Sequence, residues 1–217
     1  MGRPKQFIEV GGAPALLHTL RAFEESPGVR RIYTVGDGPR IGELSLESGI
    51  TKYAGCASTG ASRPLSTRSG LSVMDEPPET LVLIHDGSRC LVTPELVERV
   101  IEAAEGETGG AILALPVSDT VKAVEDGYVS ETLERSTLYA VQTPQAFRLG
   151  ELREVYGAAG EALHGATDDA SLFENAGRRV RVIRGEKTNI KLTDPSDLLF
   201  AEAILGSRAG DRRGVRG

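Results

Sequence analysis

Residues 80–104 read TLVLIHDGSRCLVTPELVERVIEAA, and the reading of this stretch decides the fold class. Thr80–His85 is a near-continuous apolar run after Pro77-Pro78, the pattern of a buried strand. Thr93-Pro94 opens a helix through about Ala104, with the threonine as N-cap and the proline at the first position, where its missing N–H costs nothing. Between them lies His85-Asp86-Gly87-Ser88-Arg89, a charged segment at the carboxyl end of the strand. In open α/β sheets ligands gather at such ends.

The same alternation continues on both sides. Ala13–Glu25 carries Leu16, Leu17, Leu20 and Phe23 at helical spacing and stops at Ser26-Pro27-Gly28. Arg31–Val35 predicts a strand, Ser66–Met74 a helix, and Ala111–Leu115, after Gly109-Gly110, another buried strand. Glu151–Leu163 predicts a helix, Arg179–Arg184 a strand, and Pro195–Leu205 a closing helix with Asp194 as N-cap. The expected fold is α/β: a Rossmann-like, mostly parallel sheet with helices on both faces, forming a single domain over residues 1–205. Residues 117–141 break the rhythm. Their polar, β-compatible composition and the Asp126-Gly127 turn signal predict a protruding antiparallel arm of the kind that mediates dimerisation. Residues 206–217, rich in Gly and Arg, are expected to be a disordered tail.

Composition narrows the function. The formal net charge of −6 disfavours a nucleic-acid-coating role, so a polyanionic ligand would need local clusters of Lys and Arg. The two cysteines, Cys56 and Cys90, have no metal-ligand spacing and fit a reducing cytoplasm. The longest apolar runs are too short to span a bilayer, and the start Met-Gly-Arg-Pro-Lys-Gln is unlike a secretory leader. A cytoplasmic protein with no membrane partner is expected.

Taken singly, the polar segments are ambiguous: Asp86 and Arg89 could be a surface ion pair, and Thr167-Asp168-Asp169 a helix cap. Their order is more specific. Pro4-Lys5-Gln6-Phe7, Gly11-Gly12, His85-Asp86-x-x-Arg89, Pro116-x-x-Asp119-Thr120-x-Lys122, Gln142-Thr143-Pro144-Gln145-x-Phe147, Thr167-Asp168-Asp169-Ala170-Ser171 and Asn189-Ile190-Lys191-x-Thr193 follow one another from Pro4 to about Ala203. This series resembles the 2-C-methyl-D-erythritol 4-phosphate cytidylyltransferase family. A related family acts on ribitol 5-phosphate. The segments Pro116–Lys122 and Thr167–Ser171 look more like the methylerythritol enzymes, and both acceptors stay open at this point.

The resemblance implies that a phosphate oxygen of the acceptor attacks the α-phosphate of CTP in line and releases pyrophosphate, with Mg2+ bridging the triphosphate. It implies that Lys5 contacts the triphosphate, that Lys191 and Arg135 hold the attacking phosphate, and that Asp86, Arg89, Thr120, Thr143 and Thr167 line the acceptor site. Ser66, in a stretch resembling Gly-x-x-Arg-x-x-Ser, would touch the cytidine. Because the family's arm crosses to a neighbouring subunit, Arg135 on the arm implies a composite site and a homodimer.

The sequence departs from the family chiefly on the nucleotide side. Relatives carry a first strand and a loop like Ala-Ala-Gly-x-Gly-x-Arg-Met before Pro-Lys-Gln, and Met1 falls where that loop's last methionine would be. The loss of a central strand would leave two unpaired ladder edges. Pro64 and Leu65 replace polar residues ahead of Ser66, and Gly87, Ser88 and Cys90 replace two alanines and a proline after Asp86, with Gly87 expected to loosen the loop. Two further readings follow: a catalytically dead, truncated relative that dimerises or binds ligand, and a dinucleotide-dependent oxidoreductase built on Gly36-Asp37-Gly38-Pro39-Arg40-Ile41-Gly42. The latter is disfavoured by its spacing, by Pro39 and by the lack of an acidic residue about 20 positions on.

Overall fold

The computed structural model describes residues 5–106 and 110–214, so Pro4, Gly109 and residues 215–217 of the expected tail lie outside the described residues. After a 3-10 turn at Lys5–Phe7 come β1 (Glu9–Val10), β2 (Ala13–Pro14), α1 (Ala15–Glu25), β3 (Ile32–Val35), α2 (Gly38–Glu47), β4 (Tyr53–Ala57) and α3 (Arg63–Ser72). Next are β5 (Leu81–Ile84), α4 (Pro94–Ala104), β6 (Gly110–Pro116), β7 (Lys122–Glu125) and β8 (Tyr128–Thr132). A 3-10 turn at Arg135–Thr137 leads into β9 (Tyr139–Arg148), α5 (Leu149–Ala158), α6 (Ala162–Gly165), α7 (Asp169–Asn175), β10 (Arg181–Arg184) and α8 (Pro195–Gly214).

The deciding stretch folds as its pattern predicts. Thr93 Oγ1 accepts from the Leu96 N–H at 3.3 Å, Pro94 sits in the first turn, and α4 buries Leu96, Val97, Val100, Ala103 and Ala104. The main sheet runs β10-β6-β9-β5. β10 and β6 are parallel, whereas β9 is antiparallel to both β6 and β5, so β5 and β6 point the same way. The reversal of β9 has a simple cause. A parallel return from β6 would need a crossover, but the chain leaves through the arm and comes straight back. Successive residues of β6 divide between the two faces. Ala111 and Leu113 join a core with α1 and α4, while Ile112 joins another with Phe147, Leu152 and Phe173. The parallel pair β3–β4, linked by α2, shares no ladder with this sheet, and among the described residues β3 and β5 are each paired on one side only.

The arm is the β7–β8 hairpin. Asp126 and Gly127 both have positive φ, +50° and +84°, as a two-residue turn matched to the strand twist requires. The helix expected over 151–163 is interrupted: α5 ends at Ala158, Gly160 takes φ +50°, and α6 follows. α3 starts earlier than expected because Ser62 caps it, accepting from Leu65 N–H at 3.4 Å, and Pro64 occupies its first turn. At the start of α8 the carboxylate that receives backbone donors is Asp197, from Thr193 and Asp194 N–H at 2.7 Å, not Asp194. The expected disorder from residue 206 is corrected as far as Gly214: α8 continues through it, and Arg208 ties the helix to the Leu91 carbonyl at 3.0 Å and the Thr188 hydroxyl at 3.3 Å.

Truncating Leu96, which is fully buried, to alanine is expected to lower the unfolding free energy by about 2–5 kcal/mol. Removing the Thr93 cap with Thr93→Ala is expected to lower it by about 1 kcal/mol. Urea denaturation of the two variants beside the parent checks both values and their order.

Candidate functional site

The site is assembled by loops hung on β9. Gln142-Thr143-Pro144-Gln145 forms a bulge in that strand, with a cis Thr143–Pro144 peptide, and each polar side chain there holds a different segment. Gln142 donates from Nε2 to the Glu186 carbonyl at 2.9 Å and accepts from the Glu186 N–H at 3.2 Å, which fixes the loop leading to Lys191. A Cβ at Gly185 would lie 2.4 Å from Gln142 Oε1, so this clip needs glycine there. Gln145, fully buried, accepts from the Asp169 and Ala170 N–H groups at the start of α7 and donates to Asp168.

Thr143 holds the loop after β5. Its hydroxyl oxygen accepts from the Asp86 N–H at 3.0 Å and lies 3.1 Å from His85 Nδ1, while His85 Nε2 lies 3.1 Å from the Arg89 carbonyl. A carbonyl only accepts, so the pattern assigns the proton to Nε2 and makes Nδ1 the acceptor of the Thr143 hydroxyl. The hydroxyl proton is therefore committed within the protein. Thr143 is only 4% exposed, which makes it a loop anchor rather than a residue that presents its hydroxyl to a ligand. Across Gly87 the Arg89 N–H bonds the Asp86 carbonyl at 2.9 Å, and a Cβ at Gly87 would meet Leu16 at an ordinary 3.7 Å, so the turn itself does not require glycine. Cys90 is buried among Val10, Leu91 and Leu192, and burial pushes its thiol up to about 11.

At the loop's tip Asp86 stands between two cations. Lys191 Nζ donates to Oδ2 at 2.8 Å and Arg63 Nε to Oδ1 at 3.0 Å. Burial alone would raise the Asp86 carboxyl, but Lys191 and Arg63 hold it down at about 2. Arg89 reaches across the sheet end to the Asn189 carbonyl at 2.9 Å and the Val141 carbonyl at 3.2 Å. Lys5 Nζ donates to the Thr193 carbonyl at 2.7 Å, which brings it onto the segment that follows Lys191. Ser66 Oγ accepts from the Gly60 N–H at 3.0 Å, closing the loop before α3; a Cβ on Gly60 would lie 2.5 Å from Leu65.

The structure thus joins Asp86, Arg89, Thr143 and Lys191 in one network, with Lys5 at its border. Thr167 is exposed just before the α7 cap Asp168. Thr120 and Arg135 are exposed at the base of the arm and, among the described residues, make no hydrogen bond or ion pair to this network; Arg135 Nη1 donates to the Ser118 carbonyl at 2.9 Å. Two residues that extend the network are assigned no role from the sequence: Arg63, within the Gly-x-x-Arg-x-x-Ser stretch, and Asp169, within the Thr-Asp-Asp-Ala-Ser segment. The glycine-rich segment weighed as a dinucleotide loop instead opens α2, capped by Asp37, which accepts from Arg40 N–H at 3.4 Å.

The family model described as IspD: 2-C-methyl-D-erythritol 4-phosphate cytidylyltransferase matches residues 1–207. A relative of that name from Rubrobacter xylanophilus is 58% identical over 216 residues, spanning 100% of this chain and 93% of its own length. This chain belongs to the 2-C-methyl-D-erythritol 4-phosphate cytidylyltransferase family. Membership makes it a nucleotidyltransferase-family enzyme. The crystal structure of the same-named enzyme from Thermus thermophilus is similar with a TM-score of 0.78 at 35% identity, covering 93% of this chain and 94% of that one. The 4-diphosphocytidyl-2C-methyl-D-erythritol synthase structure from Anaerococcus prevotii gives 0.83 at 34% identity, covering 94% and 91%. The Rossmann-like α/β fold class of these enzymes is the fold class of this chain.

Burial beside the Phe23 ring depresses the His85 imidazole to about 4 from an ordinary value near 6.5. The unfolded chain therefore takes up this proton first as pH falls. Stability is complete above about 6.5 and is lost between 6.5 and 4, at up to about 1 kcal/mol per pH unit. Asp86 loses its contribution only at lower pH, between 3.8 and about 2. Urea midpoints measured from pH 7 to 4 are expected to fall in the parent and to flatten in His85→Asn.

Proposed function

We propose that this chain transfers the cytidylyl group of CTP to 2-C-methyl-D-erythritol 4-phosphate and releases pyrophosphate. The observation that carries the reading is the Lys191–Asp86 contact at 2.8 Å, with Arg89 on the same loop: motif residues 105 positions apart converge at the end of β5. The names of the relatives, which specify methylerythritol phosphate, favour that acceptor over ribitol phosphate. Both reactants are polyanions, so the work is charge neutralisation and alignment rather than covalent catalysis.

In this reading Lys5 stabilises the charge developing on the triphosphate and Ser66 contacts the cytidine. Lys191 and Arg135 hold the attacking phosphate, while Asp86, Arg89, Thr120 and Thr167 line the acceptor. Thr143 contributes by fixing the Asp86 backbone. Magnesium fits as a companion of the triphosphate and not as a resident of a protein cage. Among the described residues no three His, Cys, Asp or Glu side chains cluster to hold a metal, and both Asp86 oxygens face cations. Bound to the phosphates, it would supply further positive charge.

The arm supports a homodimer. The hairpin exposes Val124, Tyr128 and Val129, with Tyr128 81% accessible, and Tyr139, Thr120 and Arg135 are exposed at its base, where Arg135 bonds the Ser118 carbonyl and not Asp86. A second copy that seats its arm over the Asp86 network would complete the site. Soluble phosphorylated reactants fit a cytoplasmic setting, and among the described residues no helix is long and apolar enough to cross a membrane.

Purified protein given CTP, magnesium and methylerythritol phosphate is expected to release pyrophosphate, and ribitol 5-phosphate to be a poor substitute. Lys191→Ala and Arg135→Ala are each expected to lower kcat/KM by about a hundredfold or more, through loss of a charge-assisted contact. No release with either acceptor would favour the ligand-binding relative. Sedimentation is expected to show a dimer that Tyr128→Asp weakens, and arm-damaged protein is expected to lose turnover with its fold intact.

A further inference from the structure

Arg63 occupies the first turn of α3, one turn before Ser66, and its guanidinium bridges two carboxylates from different elements. Nη2 donates to Asp169 Oδ2 at 2.8 Å and Nε to Asp86 Oδ1 at 3.0 Å. Asp169 is fully buried, and its other oxygen accepts from the Tyr156 hydroxyl at 2.5 Å. A carboxylate that far from water needs a cation beside it, and Gln145 pins its backbone. The inner end of the chain Tyr156–Asp169–Arg63–Asp86–Lys191 is therefore buried and bonded on several sides, while the outer end, Lys191, is 43% exposed.

The sequence of charges along that chain has a consequence. Asp169 and Asp86 balance Arg63 and Lys191, so the cluster is neutral with no substrate present. If Lys191 turns to a substrate phosphate, Asp86 loses one of its two partners. Without Arg63 it would stand largely buried with no cation in contact and only Arg89 through space, and would resist releasing the lysine or take up a proton. We propose that Arg63 is a positioning residue for the transfer: anchored on Asp169, it fixes the Asp86 carboxylate so that Lys191 is free to exchange Asp86 for a substrate phosphate. The proposal rests on the cytidylyl-transfer reading for what Lys191 receives. Four groups face Asp86: Arg63 and Lys191 by contact, and Arg89 and His85 through space from its own loop.

Two variants test this. Arg63→Lys keeps a cation for Asp169, but one ammonium cannot reproduce the two-pronged fork. Arg63→Gln with Asp169→Asn removes both charges and leaves two amides able to pair. Both are checked for folding by chemical denaturation. In steady-state kinetics Arg63→Lys is expected to raise KM for methylerythritol phosphate about ten- to a hundredfold, with KM for CTP little changed. By carbon NMR of the carboxyl groups, the Asp86 midpoint is expected to rise by about one pH unit or more in the double variant. An unchanged acceptor KM, or an unchanged Asp86 midpoint in a folded variant, overturns the proposal and leaves Arg63 a plain counter-ion for Asp169. The titration needs no turnover. If the parent releases no pyrophosphate, that result counts against the proposed reaction alone, and the carboxyl midpoint still decides the role of Arg63.

Discussion

Everything at the candidate site depends on β9 running backwards. Because it returns directly from the arm, it lies antiparallel between β5 and β6, and its bulge falls at the carboxyl end of β5, opposite Ile112 and Leu113 in the middle of β6. From that one place Gln142 holds the Lys191 loop, Thr143 the Asp86 loop and Gln145 the start of α7. Functional groups on flexible segments are thereby referred to a single rigid strand, the condition for sub-ångström placement. Most of these bonds run from side chain to backbone and set loop position directly, while Thr143–His85 and Gln145–Asp168 also orient side chains of the loops they hold.

The electrostatics follow the same local logic. A chain of net charge −6 does not attract polyanions by its overall field. The cations that matter are brought together by the fold, with Lys191 and Arg63 on Asp86, Arg89 on the Asn189 carbonyl and Lys5 on the Thr193 carbonyl just beyond Lys191. Asp86 organises these cations as much as it offers acceptors of its own.

Much of this was legible in the sequence, because strong local signals happened to coincide with tertiary demands. Thr93-Pro94 and Asp126-Gly127 act within a few residues, and the structure uses both as their chemistry dictates. The helix α2 and strand β4 were not legible. α2 buries only Ile41 and Ser45, the latter returning its hydroxyl to the Ile41 carbonyl, and Gly-Pro at its start reads as a turn. The tail misled in the other direction: its composition reads as disorder, but an arginine contact at Leu91 holds the helix there. At the site, Asp86, Arg89 and Lys191 were readable from motif order. The scaffold duties of Gln142, Thr143 and Gln145 were not, since a polar residue's partner on a distant segment leaves no local periodicity.

The sheet's division carries a consequence for its motions. Ala111–Ala114 of β6 and Gln145–Phe147 of β9 are buried and have a strand on both sides, so their amides are the ones expected to exchange with solvent only when the whole domain opens. β3 and β5 are paired on one side, and the β3–β4 pair leans on the rest of the molecule through side chains alone. That pair can detach as a separate cooperative unit below the global unfolding free energy. Opening of the segment from Ile32 to Ala57 would leave the strands that position Asp86 and Lys191 closed.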